Sequence, residues 1–128
     1  MSNEVLEVEL YIKEASELSG ATQRAIRLYE SLGLLTVSRS GKYRIYTETN
    51  VNLIKMIKEA QTLGIKLSEI VDLKDDKGSF DWQTVRDFLI DKQKDIELQI
   101  QQLEEQRDRL VLYRESITIC IEGVDSHL

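Results

Sequence analysis

Apolar side chains recur along this chain at a helical period, and the places where the rhythm breaks divide it into elements. Residues Ile12 to Leu18 predict a short helix, and the cluster "SGAT" after it is a turn in which Gly20 can take positive φ. Thr22 offers its hydroxyl as the N-cap of a second helix, which runs until Gly33 supplies a stop. The segment "TVSRSGKYRIYTE" changes character: Val, Ile, Tyr and Thr flank a glycine turn at Ser40 and Gly41, which predicts a β-hairpin. A third helix begins near Thr47 or Glu48; Val51, Ile54, Ile57, Ala60 and Leu63 recur at helical spacing, and Gly64 ends it. "KLSEIVDL" predicts a further helix capped by Ser68, with Leu67, Ile70, Val71 and Leu73 turned inward.

The polar stretch "KDDKGSFD" is the best boundary in the chain. It separates a first domain over residues 10–74 from a linker over 75–83, a long helix over 84–120 and a short tail over 121–128. No breaker lies between Thr84 and about Ile119, so the helix is a rod of roughly 54 Å, too long for one element of a small core. Leu89, Ile96, Leu103, Leu110 and Ile117 fall at steps of seven, the register of a coiled coil. A lone helix cannot hide that seam. Ten such residues across two chains gain roughly 15 to 30 kcal/mol gross on burial, against an association cost of about 4 to 15 kcal/mol. A homodimer is therefore expected; packing of the rod onto its own first domain is the other way to cover the seam.

Two short helices joined by a tight turn read as helix-turn-helix, and the hairpin behind them as a wing. At ~100° per residue, Ala25, Ile26, Leu28, Tyr29 and Leu32 share one arc of the second helix, while Gln23, Arg24, Arg27, Glu30 and Ser31 share the opposite one. The first arc predicts core and the second an outward face. Arginine carries a planar fork of donors suited to phosphate oxygens and to the O6/N7 edge of guanine, and a helix fits the DNA major groove. Arg39, Lys42, Tyr43, Arg44 and Tyr46 gather basic and aromatic groups at the hairpin, where they can neutralise and hydrogen-bond phosphates.

Charge supports that division. The net charge of −6 taken alone argues against a polyanionic partner, but it is unevenly spread. From Thr22 to Lys66 there are eight basic residues against three acidic; from Lys74 onward there are eight against thirteen. An anion-binding surface belongs in the first half. The 128 residues contain no apolar run of membrane-spanning length, and "MSNEVLEVEL" is acidic where a targeting signal would be basic, so a soluble cytoplasmic protein is expected. Cys120 is the single cysteine, which leaves no internal disulfide.

The blocks "IKEASELSGATQRAIRLYESLGLL", "GKYRIYTETNV" and "KEAQTLGIKLSEI" resemble, in order and spacing, the MerR-type transcriptional regulators, over Tyr11 to about Leu73. The resemblance implies a mainly α fold: a winged helix-turn-helix domain, then a long helix that pairs with its twin as an antiparallel coiled coil. It implies a homodimer on double-stranded DNA at a pseudo-palindromic promoter operator, which is distorted and untwisted so that RNA polymerase can engage. Thr22, Arg24, Arg27 and Tyr29 match the recognition helix, with Gln23 on the same outward arc a further candidate DNA contact, and Lys42, Tyr43, Arg44 and Tyr46 match the wing. Tyr29 lies on the apolar arc and Tyr46 can equally be wing core. Lys58 and Lys66 stand near the third helix as phosphate neighbours or solvated surface.

Metal-responsive members of the family place a thiolate at the start of the long helix; that position falls near Trp82 here, which cannot ligate, so soft-metal sensing is not expected. Cys120 with His127 could hold a metal across a dimer, but Cys120 also reads as a small hydrophobe closing "ITICI". Phe80 and Trp82 at the junction, with Cys120, are the candidates for a small-molecule effector site, although aromatics there also pin linkers. No cofactor is implied. The single histidine, and the lack of a phosphate loop or nucleophile motif, argue against an enzyme. The rival class is an interaction scaffold that retains a degenerate winged domain.

Overall fold

The computed structural model describes residues 8–126, with side chains through residue 123. The chain divides after Asp81 into two units. The first contains α1 (Ile12–Ser19), α2 (Gln23–Ser31), β1 (Ser38–Ser40), β2 (Tyr43–Ile45), α3 (Glu48–Thr62) and α4 (Leu67–Asp72); the second is α5 (Trp82–Ser126).

Local chemistry sets most of the boundaries. α1 stops at Gly20, whose φ of 78° is one that a side chain would oppose. The turn behind it is tied down by the Ser16 hydroxyl donating to the Ala21 carbonyl at 2.6 Å and by the Ala21 amide donating to Ser19 Oγ at 3.2 Å. Thr22 Oγ1 accepts the Ala25 amide at 3.0 Å and so caps α2. The strands pair antiparallel with Ser40 opposite Tyr43, so the turn is Gly41 and Lys42, one residue beyond the sequence expectation. Leu10 and Tyr46 exchange backbone hydrogen bonds of 2.9 and 2.7 Å, which fasten the start of the domain alongside the hairpin.

Thr47 and Asn50 form a reciprocal capping box at the head of α3, with bonds of 3.1 and 3.0 Å. Ser68 does not cap α4. That helix begins at Leu67, and Glu69 reaches back to accept the Lys66 amide at 3.2 Å. Of its expected inward set Ile70 is buried, while Leu67, Val71 and Leu73 are half-buried. Leu63, expected on the inner face of α3, is exposed.

Ala15, Ile26, Leu34, Tyr46 and Ile54 are the heart of the core, none more than 2% exposed. They come from α1, α2, the hairpin region and α3, so the same cluster fixes the angle between the two short helices and the wing.

α5 starts two residues earlier than the helical pattern predicts and runs 45 residues, about 68 Å at the usual rise. Leu89, Ile96, Leu103, Leu110 and Ile117 are all exposed in the single chain, between 43% and 62%. Among the described residues, no helix is long and apolar enough to cross a membrane.

Candidate nucleic-acid interface

α2 carries the face that matters. Ile26 and Tyr29 are buried and Ala25 is half-buried, while Gln23, Arg24, Arg27, Leu28 and Ser31 are exposed. Neither Arg24 nor Arg27 has an ion-pair partner among the described residues. Their guanidinium groups stand free on one outward surface, held by a helix whose opposite side is locked into the core.

Three positions differ from the expected arcs, the first being Leu32, which was expected in the core and is 38% exposed at the end of α2. Leu28 lies outward, 46% exposed, rather than in the core. Glu30 is half-buried and turns toward the wing, where its Oε2 accepts from Arg44 Nε at 2.7 Å. This pair ties α2 to β2 across fourteen residues of sequence. It engages one edge of the guanidinium fork and leaves the terminal nitrogens without an ion-pair partner among the described residues, so Arg44 can serve as tether and phosphate donor together.

A notch of about 180 Å³ opens beside this pair, lined by Tyr11, Ile12, Arg27, Lys42, Tyr43 and Arg44. The three cations come from α2, the hairpin turn and β2, and the two tyrosines pack edge to face at 5.7 Å. Lys42 Nζ lies 5.5 Å from the Tyr43 ring centre, a cation–π contact between two residues that line the notch. Tyr11 was missed in the sequence; nothing local signals that the residue before α1 meets the wing.

Tyr29 and Tyr46 are corrections to the candidate list. Tyr29 is 2% exposed and donates its hydroxyl to Gln61 Oε1 at 2.5 Å. Tyr46 is fully buried, and its hydroxyl has no hydrogen-bond partner among the described residues. Burial raises the Tyr29 pKa. Burial, then Glu30, raises that of Tyr46, with Arg44, Arg27 and Arg39 pulling the other way. Both rings build the platform beneath the basic face and present no surface of their own. Lys58 is exposed, and its ammonium donates to the Gly20 carbonyl and pins α3 to the turn. Lys66 is exposed.

The effector candidates are not gathered by one chain. Phe80 belongs to the first unit, half-buried with Lys74 Nζ 5.8 Å from its ring centre. Trp82 and Cys120 are both exposed on α5, separated by 38 residues, about 57 Å of helix. His127 lies outside the described residues. No group of three or more metal-ligating side chains occurs among the described residues.

A helix-turn-helix with a two-stranded wing, an unpaired arginine face and a separate long helix defines a winged-helix regulator class. The profile for the MerR HTH family regulatory protein matches residues 10–77, and that for MerR, DNA binding matches residues 51–112. The chain is 32% identical over 112 residues to the HTH-type transcriptional regulator CueR of Salmonella typhi, covering 82% of this chain and 79% of that one. It is 35% identical over 105 residues to the HTH-type transcriptional regulator HmrR of Rhizobium leguminosarum bv. viciae, covering 77% and 79%. It is 35% identical over 96 residues to the mercuric resistance operon regulatory protein of Bacillus cereus, covering 72% and 73%. The fold is similar to that of HiNmlR, a MerR family regulator lacking the sensor domain and bound to promoter DNA; the TM-score is 0.54 at 20% identity, covering 79% of this chain and 80% of that one. The chain belongs to the MerR family: it is a DNA-binding transcriptional regulator, not an enzyme.

Proposed function

We propose that this chain binds a pseudo-palindromic operator within a promoter as a homodimer and distorts the bound DNA to control transcription by RNA polymerase. The observation that carries the reading is the outward face of α2, where Arg24 and Arg27 stand exposed and unpaired beside the cationic notch of Lys42, Tyr43 and Arg44. Thr22 sets the start of that helix and Gln23 extends its polar face, so Gln23, Arg24 and Arg27 meet base edges and phosphates in the major groove. The notch takes a backbone phosphate, with Arg27, Lys42 and Arg44 supplying charge and the tyrosines its walls. The exposed α5 seam through Leu89, Ile96, Leu103, Leu110 and Ile117 supports pairing of two copies as an antiparallel coiled coil.

The signal is a small molecule or none, rather than a thiolate-held metal. The chain has one cysteine, and Trp82 stands where the resemblance places a first thiolate. The mercuric name of the Bacillus cereus relative favours the other reading, in which Cys120 from two chains shares an ion. Stoichiometric mercury(II) binding that alters DNA affinity in the wild type and is lost in Cys120→Ser would establish that alternative.

Fluorescence anisotropy against a duplex from the gene's own promoter, with random duplex as competitor, tests the main reading. Selective binding that weakens on Arg24→Ala and on Arg27→Ala is expected. With six to ten phosphates engaged by a dimer, affinity should fall by ~10³ to 10⁵ between 50 and 200 mM salt. Unchanged affinity in both variants would count against this face as the DNA contact, and absence of selective binding in the wild type would favour the scaffold reading.

A further inference from the structure

The outward face of α2 is polar except at Leu28, which sits one helical turn beyond Arg24 and next to Arg27 with nearly half its surface in solvent. A lone exposed leucine is ordinary on a protein surface. Its position is not ordinary, because its neighbours on that arc are the two unpaired guanidinium groups on which the DNA reading rests. A leucine side chain has neither donor nor acceptor, so it cannot read the nitrogen and oxygen edges of the bases. The thymine 5-methyl is the apolar feature that the major groove exposes.

Resting on that DNA reading, we infer that Leu28 is a specificity-determining residue that selects thymine at one position in each operator half-site by covering its 5-methyl group. Cytosine there would lack the methyl and place its amino group against hydrocarbon, leaving a desolvated donor unpaired. The four-residue step from Arg24 to Leu28 is about 6 Å along the helix. At ~3.4 Å per base pair, the selected thymine falls within about two base pairs of the base or phosphate that Arg24 meets. Leu28 thus adds sequence information where the arginines supply most of the attraction.

The test is a cycle between protein and methyl group. An operator is selected from random duplexes with the full-length wild type. Each thymine of one half-site is then replaced singly by deoxyuridine, which removes the methyl and nothing else. Wild type should lose about fourfold in affinity at one of these positions, the equivalent of one buried carbon group. Leu28→Ala and Leu28→Gln should bind the thymine and deoxyuridine duplexes equally, with thermal stability close to wild type because the side chain is half exposed. Indifference of wild type to every replacement, or a loss of the same size in both variants, overturns the inference while leaving the DNA reading intact. Failure of wild type to select any duplex overturns the DNA reading and this inference with it.

Discussion

Tyr46→Phe separates a core role for this ring from a DNA-contacting one, and the two roles predict opposite results. The ring is fully buried and its hydroxyl has no hydrogen-bond partner among the described residues. A buried donor left unpaired costs roughly 1 to 3 kcal/mol, and phenylalanine removes that cost while keeping the ring. Loss of one oxygen leaves a small void whose missing dispersion contacts subtract a few tenths of a kcal/mol. The net expectation is a gain of about 1 kcal/mol, which raises Tm by about 4 to 8 °C in a domain of this size. Thermal unfolding by circular dichroism, at fixed protein concentration because dimers unfold with a concentration-dependent midpoint, reads the change. DNA affinity by anisotropy should stay within about twofold of wild type. A fall in Tm would show that the hydroxyl has a partner; a large loss of DNA affinity would place the ring on the interface.

Further outcomes follow from the same geometry. Tyr29 and Tyr46 both have raised folded-state pKa values through burial, so their contribution to stability is fully present below the ordinary tyrosine value near 10 and is lost as pH rises above it; urea titrations from pH 8 to 11 should show a gentler alkaline decline for Tyr46→Phe than for wild type. Gly20→Ala forces a side chain into φ 78° with its Cβ 3.1 Å from Lys58 Nζ, and should cost about 1 to 2 kcal/mol in urea unfolding, whereas an unchanged midpoint would contradict the strained turn. Leu103→Lys, at the centre of the α5 seam, should convert a dimer to monomers in sedimentation velocity while the far-ultraviolet spectrum of the first unit persists; a retained dimer would move the interface elsewhere.

The parts of the fold that were legible in the sequence are those fixed within one or two turns of chain. Thr22 and Thr47 cap α2 and α3 through their own hydroxyls, and Gly20, Gly33 and Gly64 close helices at positive φ. The α4 start was misplaced because the bond there runs from the Lys66 amide to the Glu69 carboxylate, and Ser68 offered a more obvious oxygen. The arcs of α2 were rotated slightly. Leu28 and Leu32 pulled the expected core toward themselves, but what decides burial is the wing, which packs on the side where Glu30 meets Arg44. That contact joins residues fourteen apart, and the notch adds Tyr11 from before α1; neither is visible to periodicity. Arg24 and Arg27 were legible because helical geometry alone places them opposite Ile26 and Tyr29.

Hydroxyl-radical footprinting of the full-length protein on its selected duplex bears most directly on the claim that two copies of one arginine face engage DNA together. Two protected half-sites related by a dyad, with centres about one helical turn apart, are predicted, and both should fade together in Leu103→Lys and in Arg27→Ala. A single unpaired protected stretch, or protection that survives both substitutions, would contradict it.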